Sequence, residues 1–140
     1  VHASDVVLQA FVALLQDIDG LQDHVVTDEE KIAKDSDLPW AWINAGDENL
    51  TAETLSAKKT RELGVNVDLL ARGRYQAVQT ANDLAAKIED RIDADRTLGG
   101  VVGNAVLQTI TRETTDVAAH VRLIYLVTFW TRAGAASTPV

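Results

Sequence analysis

Residues 120–132 read His-Val-Arg-Leu-Ile-Tyr-Leu-Val-Thr-Phe-Trp-Thr-Arg, and this run constrains the fold more than any other part of the chain. In an extended strand Val121, Leu123, Tyr125, Val127 and Phe129 share one face. Arg122, Ile124, Leu126, Thr128 and Trp130 share the other, because successive side chains point to opposite sides. Both faces are largely apolar. Such a strand needs cover on both sides, so it is expected at the centre of a sheet, or between a helix and a partner.

The preceding segments supply its neighbours. Residues 104–113 alternate loosely, with Val106 and Ile110 set against Leu107, Thr109 and Thr111. A polar connection over 114–118 is of hairpin length, which predicts antiparallel pairing with the closing strand. Further upstream, Leu63, Val65, Val67 and Leu69 alternate with Glu62, Gly64, Asn66 and Asp68, the pattern of a half-buried strand with one wet face. Gly73 punctuates its end. A helix is predicted over 74–94, with Val78, Ala81, Ala85, Ile88 and Ile92 forming a narrow apolar stripe. Asp83, Lys87, Glu89, Asp90, Arg91 and Asp93 occupy its other side. Thr97-Leu98-Gly99-Gly100 then stops the helix and turns the chain.

The N-terminal part is less regular. Val7, Phe11, Leu14, Leu15 and Ile18 predict a helix over 5–18, with Ser4 as N-cap and Gly20 as its stop. A short strand over 24–26 precedes an exposed acidic loop over 27–37. Residues 38–44 read as a strand in which Pro39 suits the first position, Trp40 and Trp42 share one face, and Ala41 and Ile43 share the other. Residues 46–59 are polar and read as a long mobile loop, with a weak strand near Thr54 as the alternative. The tail 134–140 reads as disordered. The expected fold is therefore α+β: a mainly antiparallel twisted sheet of about four to five strands packed against two helices, one N-terminal and one between strands. A single domain is expected over 1–133.

Composition narrows the function classes. Thirteen basic against twenty-one acidic side chains leave a formal charge of -8, which repels phosphate backbones and disfavours sequence-independent DNA binding. No apolar run approaches the roughly 20 residues of a membrane helix, so no membrane partner is expected. The absence of cysteine excludes disulfides and thiolate metal sites.

No reactive constellation is apparent. His2, His24 and His120 are scattered, without a second ligand at helical spacing. Asp28, Glu29 and Glu30 lack the alternating ligands and central glycine of a calcium loop, and Asp90, Asp93 and Asp95 read as a solvated helix end. Leu98 to Gly103 lacks the lysine and hydroxyl of a phosphate-binding loop and leads into a strand rather than a helix. No catalytic residue, metal or cofactor is expected, and the chain is read as a non-enzyme.

The stretch 61–132 resembles the tail terminator proteins of long-tailed bacteriophages, of the lambda type. The residues that carry the resemblance are Arg61-Glu62-Leu63 opening an alternating strand, the helix around 84–92, the turn Asp95-Arg96-Thr97-Leu98-Gly99-Gly100, and the closing run to Arg132. Family members often have a tyrosine and a basic residue near the end of the last strand, where this chain has Phe129-Trp130-Thr131-Arg132. The resemblance implies a structural virion protein, assembled in the host cytoplasm, that forms a homo-oligomeric ring, a hexamer, at the head-proximal end of the tail tube. Such a ring halts tube polymerisation and offers an attachment surface to the head. Its partners would be copies of itself, the major tail tube protein and a head-completion or connector protein, with DNA only as passing cargo. The alternative within the same class is a head-tail connector or tail completion protein. The interface candidates on this reading are Glu29, Glu30, Asp35 and Asp37 of the first acidic loop, Asp47 and Glu48 of the second, Arg72 and Arg74 about the glycine turn, and Arg122, Trp130 and Arg132 on the last strand.

Overall fold

The structure, a computed structural model, describes residues 2–32, 39–53, 58–73, 76–115, 117–132 and 135–139; for 51–53, 58, 132 and 135–139 the description is of the backbone. The first element is helix α1, Ala3–Leu15. His2, not Ser4, caps it: the His2 Nδ1 accepts the Ser4 backbone N–H at 3.1 Å, which moves Ser4 into the first turn. Ala3, Val7, Phe11, Leu14 and Leu15 form its buried face. The helix ends earlier than its periodicity predicts. Ile18 and Leu21 are buried all the same, but from a series of turns in which Gly20 adopts a φ of +96°.

Strand β1, Val25–Val26, lies parallel to β2, Trp40–Glu53, which pairs antiparallel with β3, Lys58–Arg72. A 3-10 turn, Glu29–Lys31, separates β1 from β2. The long β2–β3 pairing corrects the expectation of a mobile loop at 46–53 and 58–59; residues 54–57, and with them the alternative of a strand near Thr54, lie outside the described residues. Ladder hydrogen bonds are made by the backbone, so a polar stretch can pair without apolar alternation. The alternation is broken because the register shifts twice, between Ala45 and Glu48 and again between Leu50 and Ala52. Helix α2, Ala77–Ala94, crosses to β4, Asn104–Thr114, through a turn in which Leu98 (φ 52°), Gly99 and Gly100 all take left-handed conformations. Strand β5, Ala118–Arg132, closes the hairpin with β4.

The strands form one sheet in the order β1-β2-β3-β5-β4, an α+β fold with an N-terminal helix and a second helix between strands. The closing strand is central, as its two apolar faces require: β3 flanks β5 on one side and β4 on the other. The tail is not structureless throughout. Ala135–Pro139 forms a short strand, β6, which pairs with β5 at Thr131 and Arg132 and so continues the edge that β4 occupies.

One face of the sheet carries the core. Ala41, Ile43, Leu63, Val65, Val67, Leu69, Val121, Leu123, Tyr125, Val127 and Phe129 are buried against α1 and α2, as their alternation predicts. On α2 the buried stripe is Ala77, Ala81, Leu84, Ala85, Ile88 and Ile92. Val78, expected in that stripe, is 45% exposed: the buried face centres on Ala81 and Ile88, and at about 100° per residue Val78 falls at its margin while Ala77 falls within it. Among the described residues no helix is long and apolar enough to cross a membrane.

Candidate functional site: a polar network on the open face of the sheet

No described helix packs against the face opposite α1 and α2, and there a hydrogen-bonded network spans three strands. Asp68 on β3 stands directly across from Arg122 on β5, and Leu70 across from His120. On the other side of β3, Asn44 pairs with Asn66 and Trp42 with Asp68. All these side chains leave the same face, so the register alone converges them. The Asp68 Oδ1 accepts from Arg122 Nε at 2.7 Å and lies 2.6 Å from His120 Nε2. Its Oδ2 accepts from Asn44 Nδ2 at 2.8 Å and from Arg122 Nη2 at 3.4 Å. Asn66 completes the chain by donating to Asn44 Oδ1 at 3.0 Å.

Asp68 is 1% exposed although it sits on what the sequence reads as the wet face of its strand. Burial by itself would raise its pKa. The hydrogen bonds from Arg122, Asn44 and His120, with the Arg122 charge, outweigh that effect and hold the carboxyl below its ordinary value. Arg122 is pushed the other way by the same contact, so the pair is charged throughout the physiological range. Both carboxylate oxygens are occupied. The network therefore fixes the orientation of His120 and Arg122, whose side chains remain 33% and 38% exposed.

Beside the network, at the end of the sheet where β3 finishes and β5 begins, lies a cavity of about 190 Å³. Its floor is a row of register partners, Trp40, Leu70, His120 and Glu113, running across β2, β3, β5 and β4. Arg72 and Thr115 line it as well, and Ile32 closes one side. His24 stacks on Trp40 with ring centroids 4.5 Å apart. The Trp40 indole N–H is buried without a hydrogen-bond partner among the described residues. A smaller hollow between Thr111, Glu113, His120 and Arg122 adjoins it.

The interface candidates fall in separate places. Glu29 and Glu30 are exposed on the 3-10 turn, where the Asp28 carboxylate accepts the Glu30 N–H at 3.0 Å. Asp47 is exposed at the first irregularity of β2. Glu48 turns instead towards the helical side and joins an ion pair with Arg61 at 3.3 Å, with His2 at 3.9 Å. Arg61 also donates to the buried Thr131 hydroxyl at 2.8 Å. Arg72 is exposed beside the cavity, and Arg122 belongs to the network. Trp130 is 36% exposed and covers Gly103, whose amide donates to the Thr128 carbonyl at 2.8 Å. Asp35, Asp37, Arg74 and the Arg132 side chain lie outside the described residues. Of the described candidates, then, only Arg122 and Arg72 approach a common site.

Asn44, Asn66, Asp68 and His120 are the members that sequence reasoning passes over. Asp68 is 24 residues from Asn44, 52 from His120 and 54 from Arg122, so no local spacing links them. The one available signal is positional: Asp68 alternates with buried aliphatics on a strand destined to pair centrally. Among the described residues no group of three or more histidine and carboxylate side chains is arranged to hold a metal ion. No family model matches the chain, and no curated protein sequence is significantly similar to it.

Proposed function

We propose that the chain is a structural assembly protein of the tail terminator type, forming a ring of identical copies at the head-proximal end of a phage tail tube. The observation that carries this reading is a sheet with two different unfinished borders. Among the described residues no strand pairs with the outer side of β4, and β1 covers β2 only at Ala41 and Trp42, leaving the rest of that long strand without a described partner on its outer side. Unpaired strand borders are templates for association. Because the two borders differ and lie on opposite sides, they favour head-to-tail contacts, which close into rings when the rotation fits. The strands have the right polarity for this, since β4 runs opposite to β2 through the antiparallel series.

The other features agree with an assembly role. A formal charge of -8 suits a channel wall that must not grip passing DNA. The exposed Val106 on β4 and Leu50 on β2 offer apolar contacts on the border strands, and Trp130 adds a third near the end of β5. On this reading the ring meets the tail tube protein on one side and a head-completion protein on the other. Electron microscopy of tails assembled with and without the chain tests the reading. Overlong tubes in its absence and normal ones on its addition are the expected result. Tubes of unchanged length would reject the terminator role, and normal-length tails that fail to join heads would assign the chain to the neck instead.

A further inference from the structure

We infer that the open face of the sheet is a docking surface for a second copy of the chain, packed face to face about a twofold axis. The contact uses the face and not the strand borders, so it does not rest on the assembly reading. Its centre is apolar. Ile124 and Leu126 of β5 stand half-buried on the side that no described helix covers, and their register partner Val106 on β4 is 41% exposed. Polar pairs bound this centre along β3 and β5, Asp68 with Arg122 at one end and Glu62 with Thr128 at the other. An apolar centre with a polar rim is the anatomy of a protein interface. The face is also large enough. Strands of about 12 residues in a row of four cover on the order of 800 Å², from about 3.3 Å per residue and about 4.8 Å per strand. A stable interface needs about 800 Å² on each partner.

Two observations make a second copy the occupant. The first is that the face is complementary to itself. Successive pairs on it are Asp68–Arg122, Asn66–Ile124, Gly64–Leu126 and Glu62–Thr128. A twofold axis lying across the strands, between Ile124 and Leu126, turns the first pair onto the last and sets Ile124 on Leu126 of the second copy. Arg122 then comes within about one strand spacing, about 4.8 Å, of the other copy's Glu62, and the symmetry makes that contact twice. Both groups are available for it. Asp68 takes the Arg122 Nε and Nη2, Glu113 acts on Arg122 through charge alone, and Nη1 has no hydrogen-bond partner among the described residues. Glu62 is half-buried and, among the described residues, makes no ion pair or side-chain hydrogen bond. The second observation is Gly64 itself. Its φ is not left-handed, and an added Cβ would meet nothing closer than the Asp47 carbonyl oxygen at 3.6 Å, so the fold of one chain does not require glycine there. Glycine inside a strand costs stability and marks places where another chain approaches closely. On this face it leaves a depression beside Leu126, level with the Ile124 and Asn66 side chains of the second copy.

The test uses the full chain in sedimentation equilibrium, with a cross-link to report the geometry. The chain has no cysteine, so Thr109→Cys, at an exposed position on the same face, supplies one thiol per copy. The twofold axis brings the two thiols together, and a short bismaleimide should join them into a covalent dimer. Pairing through the β2 and β4 borders would hold them apart. Gly64→Val should weaken dimerisation at least tenfold while the monomer melts no lower than the parent. Glu62→Lys, which sets a cation against Arg122, should weaken it about tenfold, the scale of one charge-assisted contact. Absence of a dimer at any concentration, association without the Thr109→Cys cross-link, or unchanged association of both Gly64→Val and Glu62→Lys would each overturn the inference. Loss of the dimer in Glu62→Lys decides the matter even if Gly64→Val fails to fold.

Discussion

The Asp68 carboxylate and the Arg122 guanidinium meet at 2.7 Å across the β3–β5 pairing, with the carboxylate 1% and the arginine side chain 38% exposed. That difference in exposure makes the two deletions unequal. Asp68→Ala leaves an arginine that water can reach, and should cost about 1–2 kcal/mol. Arg122→Ala leaves a buried carboxylate held only by Asn44 and His120, and should cost about 3 kcal/mol. Urea unfolding of both single variants and the double variant checks this order, and the double should lose less than the sum of the singles.

The same carboxylate fixes an acid limb of stability. Its folded pKa lies below the ordinary value of 3.8, so between those two values the unfolded chain binds more protons and stability rises with pH. The contribution is fully present above about pH 4–5 and is lost as pH falls through the folded pKa. Asp68→Asn should flatten this limb in thermal melts between about pH 2 and 5, while at neutral pH it should still be destabilised.

Tyr125 carries a buried hydroxyl with no partner among the described residues, and its ring lies 5.7 Å from that of Phe11. Burial raises its pKa well above 10, with Glu89 and Asp93 adding to the effect. Removing an unsatisfied hydroxyl relieves its desolvation, so Tyr125→Phe should be neutral or stabilising by up to about 1 kcal/mol. The sign with pH follows from the raised pKa. The neutral phenol favours the folded state below pH 10, and that advantage is lost at higher pH as the unfolded chain ionises. The variant should therefore retain more stability than the parent in melts above pH 10.

Gly103 faces Trp130 so closely that an added Cβ would lie 2.7 Å from the ring Cζ3. Gly103→Ala must displace the indole, with an expected cost of about 1–3 kcal/mol and a red-shifted tryptophan emission. Trp130→Leu in the alanine background should recover part of the loss. A stable Gly103→Ala protein with unchanged emission would contradict the packing.

Where alternation is strong, the fold was legible from the residues. The two apolar faces of residues 121–130 point to a central strand, and the one apolar face of Leu63 to Leu69 to a half-buried neighbour. Residues 46–53 and 58–59 read as a loop although they pair, since their pairing is made by the backbone and their side chains carry no period. Val78 departs from the expected stripe because Ala77 and Leu84 are buried as well and swing the centre of the face away from it. The polar network was invisible for a different reason. Asp68, His120 and Arg122 become neighbours only through the β3–β5 register, which no local pattern encodes.

The assembly claim is tested most directly by sedimentation velocity of the full chain over a wide concentration range, alone and with tail tube protein. A discrete closed oligomer that grows at the expense of monomer, without larger open species, is the expected result. A chain that sediments as a monomer at every concentration, with and without tube protein, would contradict it.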